Sequence, residues 1–358
     1  MIEFEILARG LYRPDQLAMT YDPSLRMPTT PAIQQWMDTL WQQKLAIAQE
    51  KNIPLYDSKL FRLVHVETRH AARQGNITPV GAGEERRGEG TLGSPPHGGG
   101  RVGASPISVN LRGQGDRKGR PYYTTNRLGK PVYSRGDPLR SPWGEEILHL
   151  IFGNTSYKEY VTTREPEFAR GPDRQQLSNA LAVCSVVETT DGHILLDKRQ
   201  GVDVYAGRYH VIGGFFERDL DTSITNETSE TSETNETNPD PFAAIRREIR
   251  EETGIQAADI AEQYCLGVVY DLATPHAELC FLTRLNIPLH EVRQRVPEEN
   301  EIKQLLSLHV TEESLRDFIL TNHGNISATG EPNLLMYGGL RFGEGWFEEV
   351  MGRLNYLS

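Results

Sequence analysis

Three glutamates crowd the stretch "RREIREETGI" at 246–255, two of them adjacent, just ahead of a glycine. On a helical wheel at about 100° per residue, Glu248, Glu251 and Glu252 share one sector roughly 100° wide. Like charges at that spacing cost a helix roughly 0.2–0.5 kcal/mol per pair. The adjoining stripe of Phe242, Ile245 and Ile249 is apolar, so the acidic face borders a core rather than open water. Carboxylates crowded at a core edge need a counter-ion, and oxygen-only donors select a hard cation, Mg²⁺ or alternatively Mn²⁺. A solvated face with Arg246, Arg247 and Arg250 as internal partners is the plainer reading of the same residues. Upstream, "GGFFE" at 213–217 ends an apolar run on Gly213 and Gly214, with Glu217 three residues further on.

These residues need elements to carry them. A helix is expected over about 240–253, with Gly254 at its C-cap. A strand over 207–214 should deliver the two glycines. "NALAVCSVVETTDGHILLDKR" places two apolar runs around Asp191-Gly192, a hairpin signal. Strands at 264–271, 277–284 and 303–310 and a closing helical region follow, so strands and helices interleave in an α/β layered domain over 173–358. Residues 221–239, "DTSITNETSETSETNETNP", form a low-complexity insert with no apolar periodicity, expected to be disordered or loosely draped.

Residues 1–172 read as a smaller α+β domain. Thr30 can cap a helix that Pro31 opens, and Ile33, Trp36, Met37, Leu40, Trp41 and Leu45 give it one apolar face. "FRLVHVET" at 61–68 reads as a strand. "EEILHLIFGNTSYKEYV" at 145–161 reads as a strand turning through Thr155, Ser156 and Tyr157 into a helix. Between them, about 73–106 is a Gly/Pro/Arg/Glu excursion that cannot bury a core. Residues 101–140 then carry nine Lys/Arg against Asp116 and Asp137, a solvated basic loop or a phosphate-facing rim.

The string Arg247-Glu248-x-x-Glu251-Glu252-x-Gly254-Ile255 resembles the second half of the Nudix box, G-x5-E-x7-R-E-U-x-E-E-x-G-U with U bulky and aliphatic. Gly213-Gly214 with Glu217 resembles the first half. The resemblance implies an α/β/α sandwich with a mixed sheet and hydrolysis of nucleoside diphosphates linked to another moiety. It also implies Glu248, Glu251 and Glu252 as metal carboxylates, with Arg247 as the salt-bridge partner that steadies them. Glu278, or Glu298, Glu299 or Glu301, would be an accessory ligand or base, and Gly213, Gly214 and Glu217 would meet substrate. The spacing departs from the box: Gly214 to Arg247 spans 33 residues where the box has 14, an excess equal to the insert. Leu220 stands where the box has its first glutamate, so that ligand is either missing or supplied by Asp219, Asp221 or Asp240. A similar interruption marks the UDP-glucose diphosphatase branch, which "AIQQWMDTLWQQKL…KLFRL", "GNTSYKEYV" and "CLGVVY…AELCFLT" also resemble. That resemblance implies a small-molecule nucleotide-sugar substrate, UDP-glucose or UDP-galactose, cleaved to UMP and a sugar 1-phosphate, with Thr155, Ser156 and Tyr157 near the nucleotide. ADP-ribose or another dinucleotide, and a non-catalytic nucleotide-binding protein, are the alternatives.

Composition narrows the rest. A formal charge of −11 argues against nucleic acid as a partner. A mean hydropathy of −0.51 and the lack of an apolar run of membrane-spanning length argue against a span. The start carries no secretory pattern, so cytoplasmic residence is expected and the Asn-Glu-Thr matches in the insert read as chance. Cys184, Cys265 and Cys280, an odd number in apolar runs, should be buried and reduced. Oligomeric state stays open.

Overall fold

The structure, a computed structural model, describes residues 1–52, 54–70, 124–125, 131–132, 146–171, 173–200, 204–224, 237–298 and 304–357. The first part of the chain forms β1 (Phe4–Tyr12), β2 (Leu17–Arg26), α1 (Pro31–Glu50), β3 (Lys59–His70), the two-residue strands β4 (Thr124–Thr125) and β5 (Pro131–Val132), β6 (Glu146–Ser156), α2 (Tyr157–Thr163) and α3 (Pro166–Ala169). Next come β7 (Leu181–Glu188), β8 (His193–Lys198), β9 (Tyr209–His210), β10 (Ile212–Phe215), β11 (Thr222–Ile224), β12 (Thr237–Pro239) and α4 (Pro241–Thr253). The chain closes with β13 (Ile260–Asp271), β14 (His276–Leu285), α5 (Leu289–Val292), β15 (Leu305–His309), α6 (Glu312–Thr321), α7 (Gly330–Phe342) and α8 (Glu344–Leu357).

One mixed sheet of eight strands is the frame, in the order β1-β13-β14-β7-β8-β15, with β10 paired to β7 and β9 to β8. The β14–β7 pairing is parallel and its neighbours are antiparallel. Strands β7 and β14 are buried along almost their whole length, and their side chains are mostly apolar on both faces. Phe242, Ala244, Ile245 and Ile249 of α4 cover one face against Leu181, Val183, Val187 and Phe281. Leu334, Leu335, Tyr337 and Leu340 of α7, with Trp346 and Val350 of α8, cover the other against Cys184, Val186, Cys280 and Leu282. The layering is α/β/α, as expected. All three cysteines are buried and free. No helix among the described residues is long and apolar enough to cross a membrane.

The division expected near residue 172 is crossed by hydrogen bonds. Strand β1 pairs antiparallel with β13 as an edge of the large sheet, Phe4 opposite Asp271. The period-2 alternation of Ile2, Phe4 and Ile6 with Glu3 and Glu5 signals this strand. Strands β2, β6 and β3 form a separate three-stranded sheet. Its Phe61 and Phe152 pack with Phe216, just past the two glycines, at 4.5 and 6.0 Å between ring centroids.

The insert also differs from expectation at its ends. Thr222, Ser223 and Ile224 pair antiparallel with Pro239, Asn238 and Thr237, closing the tract with a short ladder. Residues 225–236 lie outside the described residues, as does the excursion at 73–106.

Candidate active site

Helix α4 starts where Asp240 accepts the Ala243 N–H at 2.9 Å and Pro241 sets the first turn. It ends at Gly254, whose φ of 74° is left-handed. Any Cβ there would also meet the Val296 carbonyl oxygen at 2.3 Å. Between these caps the helix lays its acidic face against the edge strand β10.

Arg247 is the hub of that face. Its Nε and Nη2 donate to the two oxygens of Asp221, both at 2.8 Å, a bidentate pair. Nη2 also donates to the Phe215 carbonyl at 3.1 Å. Nη1 reaches Glu248 and Glu251, each at 2.9 Å. Burial opposes the charge of this guanidinium, but Asp221, Glu248 and Glu251 outweigh it and drive its pKa upward. Arg247 is thus a permanent cation that fixes three carboxylates.

The two glycines are explained by the glutamates. A Cβ on Gly214 would lie 2.5 Å from the carboxylate carbon and both oxygens of Glu248. Only a bare Cα lets that side chain lie against the strand. The Gly213 N–H donates to Glu252 Oε2 at 3.2 Å. Glu248 and Glu252 are buried, each 8% exposed.

Of the three aspartates open to the role of the missing glutamate, Asp221 lies against Arg247. It is 2% exposed, accepts the Glu217 N–H at 2.8 Å and holds Arg247. Asp240 caps α4 instead, and Asp219 pairs with Lys59 at 3.1 Å on the surface. Sequence reasoning narrowed the choice to these three; the box spacing does not point to Asp221.

Glu217 is half-buried beside the cluster. Burial raises its pKa, Arg247 pulls it back, and Asp221 and Glu251 push it up again. The neighbourhood therefore holds five carboxylates, Glu217, Asp221, Glu248, Glu251 and Glu252, against two guanidiniums, Arg247 and Arg250. Arg250 itself is shared between Glu251 at 3.4 Å and Glu298 at 3.0 Å. Among the described residues, no three His, Cys, Asp or Glu side chains are arranged to hold a metal ion as they stand. Arg247 bonds Glu248 and Glu251, and the Gly213 N–H donates to Glu252. The donor set nonetheless fits a hard divalent cation, because it is all carboxylate oxygen with negative charge in excess.

Glu278 is elsewhere, which corrects its place among the expected metal ligands. It lies two residues from Cys280 on the α7 face of the sheet, opposite α4, and is 3% exposed. His210 lies 3.6 Å from one of its oxygens and His276 3.7 Å from the other. Alternation along β14 decides its side, and sequence cannot say which side α4 covers. Glu298 is engaged by Arg250, and Glu299 and Glu301 lie outside the described residues.

The "GNTSY" turn is brought near, with mixed duties. Tyr157 meets Phe215 edge-on at 5.6 Å and Trp41 at 6.4 Å. Thr155 is buried and bonds Glu159 and Ser178, and Ser156 caps α2, so both serve the local fold. Strand β3 is the closer neighbour. Phe61 N–H donates to the Phe216 carbonyl at 3.1 Å, and Arg218 N–H to the Lys59 carbonyl at 2.8 Å. The loop from Phe216 to Asp221 is thereby stitched to the three-stranded sheet.

No protein-family model matches the chain, and no curated protein does. Solved structures similar to it include a MutT protein from Methanosarcina mazei Go1, at 19% identity over 43% of this chain and 88% of that one, TM-score 0.28. A bifunctional NMN adenylyltransferase/ADP ribose pyrophosphatase from Francisella tularensis, complexed with AMP and a manganese ion, matches at 15% identity over 51% and 46%, TM-score 0.32. A NUDIX-family hydrolase from Clostridium perfringens matches at 14% over 51% and 100%, TM-score 0.28. Likeness at that level carries no functional argument, so function is argued below from the motif and the geometry.

Proposed function

We propose that the chain is a metal-dependent pyrophosphohydrolase of the Nudix type, cleaving UDP-sugars to UMP and a sugar 1-phosphate. The observation that carries the reading is the seating of Glu248 and Glu252 against Gly214 and Gly213, with Arg247 fastening Glu248, Glu251 and Asp221. Glu248, Glu251 and Glu252 would hold the cation. When bound, a divalent cation offsets charge growing on the phosphoryl oxygens and acidifies a coordinated water. Arg247 keeps the carboxylates in place without meeting substrate. Water adds to phosphorus as the bridging P–O bond breaks, and its proton passes to a carboxylate of the cluster.

Uridine and sugar selectivity rests on the resemblance at 31–63 and 153–160. It is supported by the closeness of Ser58, Lys59 and Tyr157 to the loop that carries Glu217. Incubation with Mg²⁺ or Mn²⁺ and a panel of UDP-, ADP- and GDP-linked compounds, with products separated by ion-exchange chromatography, tests it. UMP released fastest from UDP-glucose or UDP-galactose supports the assignment. Preference for ADP-ribose would leave the hydrolase and remove the uridine.

A further inference from the structure

Nineteen residues, 221–239, interrupt the motif between its glycines and its glutamates, yet Gly213 and Gly214 still meet Glu252 and Glu248 across the interruption. The ladder between β11 and β12 does this. Asp221 and Asp240 stand at its foot, and the Asp240 N–H donates to the Asp221 carbonyl at 3.0 Å. Asp221 in turn donates its own N–H to the Glu217 carbonyl at 2.9 Å. One side of the neck thus carries the carboxylate that clasps Arg247, and the other carries the cap of α4. Hydrogen-bonded pairs alternate along an antiparallel ladder. Counting from Asp221 and Asp240, the next such pair is Ser223 with Asn238. Pro239, which has no N–H, falls on the intervening non-bonded pair opposite Thr222.

We propose that this neck is a positioning device: it splices the broken motif, and by fixing Asp221 on Arg247 it sets how tightly the glutamates of α4 hold their cation. The inference rests on the metal-dependent reading above. With Asp221 in place, Arg247 is shared among three carboxylates. With Asp221 withdrawn, Arg247 is left to Glu248 and Glu251 alone, binds them more closely, and competes with the cation for their oxygens. The tract beyond the neck takes no part, so its length is free to vary.

The test uses the full chain and Mn²⁺ alone as the probe, with affinity read from water-proton relaxation and folding from circular dichroism and melting temperature. In one variant, Asn-Gly replaces 225–236 and joins Ile224 to Thr237 by a two-residue turn. In a second, Ser223→Pro and Asn238→Pro remove the neck's bonded pair while the tract stays. A third is Asp221→Asn. The expected result is Mn²⁺ affinity within about twofold of wild type for the excised chain, and at least tenfold weaker for the proline pair and for Asp221→Asn. Adding the prolines to Asp221→Asn should weaken binding no further. If the double substitution prevents folding, Asn238→Pro alone reads the same effect. Unchanged affinity in a folded neck variant overturns the proposal, as does a loss in the excised chain equal to that of the proline pair. Wild-type protein that binds no Mn²⁺ overturns the metal reading itself, a failure told apart because its neck is intact.

Discussion

At the scale of single residues, the site turns on what lies against a missing side chain. Gly214 has no Cβ because Glu248 occupies the space, and the first atoms a methyl would meet are the movable end of that glutamate. Gly214→Ala should therefore displace Glu248 rather than break the strand. The expected result is a fall in turnover of at least about tenfold, since misplacement by about 1 Å at a reacting centre can cost roughly 100-fold. Stability should change by no more than about 1 kcal/mol. A melting temperature that drops while the folded fraction keeps its rate would contradict this account of Gly214. The glutamates themselves were legible in the sequence, because helical periodicity is local and places Glu248, Glu251 and Glu252 without reference to the rest of the fold. Asp221 was not, because its role depends on how the chain returns after 18 further residues to Asp240. No periodicity encodes that return.

Among elements, the least legible feature was the buried charge joining β9, β14 and the start of α7. Burial works against a charged His276, but Tyr160, Glu278 and Asp271 outweigh it and raise its pKa to about 10. Burial likewise resists a charged Glu278, but His276 and His210 bring it down to about 2. Burial lowers His210 to about 4 despite Glu278, and its ring Nδ1 lies 2.6 Å from Ser327 Oγ. The signs follow. Glu278 stabilises the fold above its usual 4.5, and this is lost as pH falls through about 2. Neutral His210 contributes above its usual 6.5, and this is lost as pH falls through about 4. His276 contributes below its usual 6.5, and this is lost as pH rises through about 10. Urea midpoints should therefore decline from near pH 6.5 toward pH 2, and again in the alkaline range. Glu278→Gln should cost about 3 kcal/mol at pH 7, as breaking a buried pair does, and should flatten the lower part of the acid decline. Equal acid sensitivity in wild type and variant would show that the pair carries no such load. A sequence names these histidines and this glutamate but cannot bring His210 beside Glu278, more than sixty residues away.

Across the whole molecule, the two parts read as distinct domains share a sheet and a loop. Strand β1 supplies an edge of the large sheet, and β3 holds the backbone from Phe216 to Arg218. Phe61, Leu148, Leu150 and Phe152 belong to the same apolar cluster as Phe242 and Ile249 of α4. The helix and strands of 173–358 could be foreseen because each has its own pattern. The pairing of residues 4–12 with β13 could not, because edge pairing between distant segments leaves no local trace. The fragment 173–358 should accordingly fail to unfold cooperatively on heating and should lack activity. A fragment that melts sharply and turns over like the whole chain would show that the first 172 residues are dispensable.

The central claim is that the α4 carboxylates perform metal-dependent hydrolysis, and Glu252 offers the cleanest test. It meets the Gly213 N–H, so the amide of Glu252→Gln keeps the shape and removes one ligand charge. The measurement is single-turnover release of UMP from UDP-glucose with Mg²⁺, wild type beside Glu252→Gln, with melting temperatures in parallel. The account predicts UMP and glucose 1-phosphate in equal amounts from wild type, and a rate at least about 100-fold lower in the variant at an unchanged melting temperature. A variant that releases UMP at the wild-type rate would contradict it.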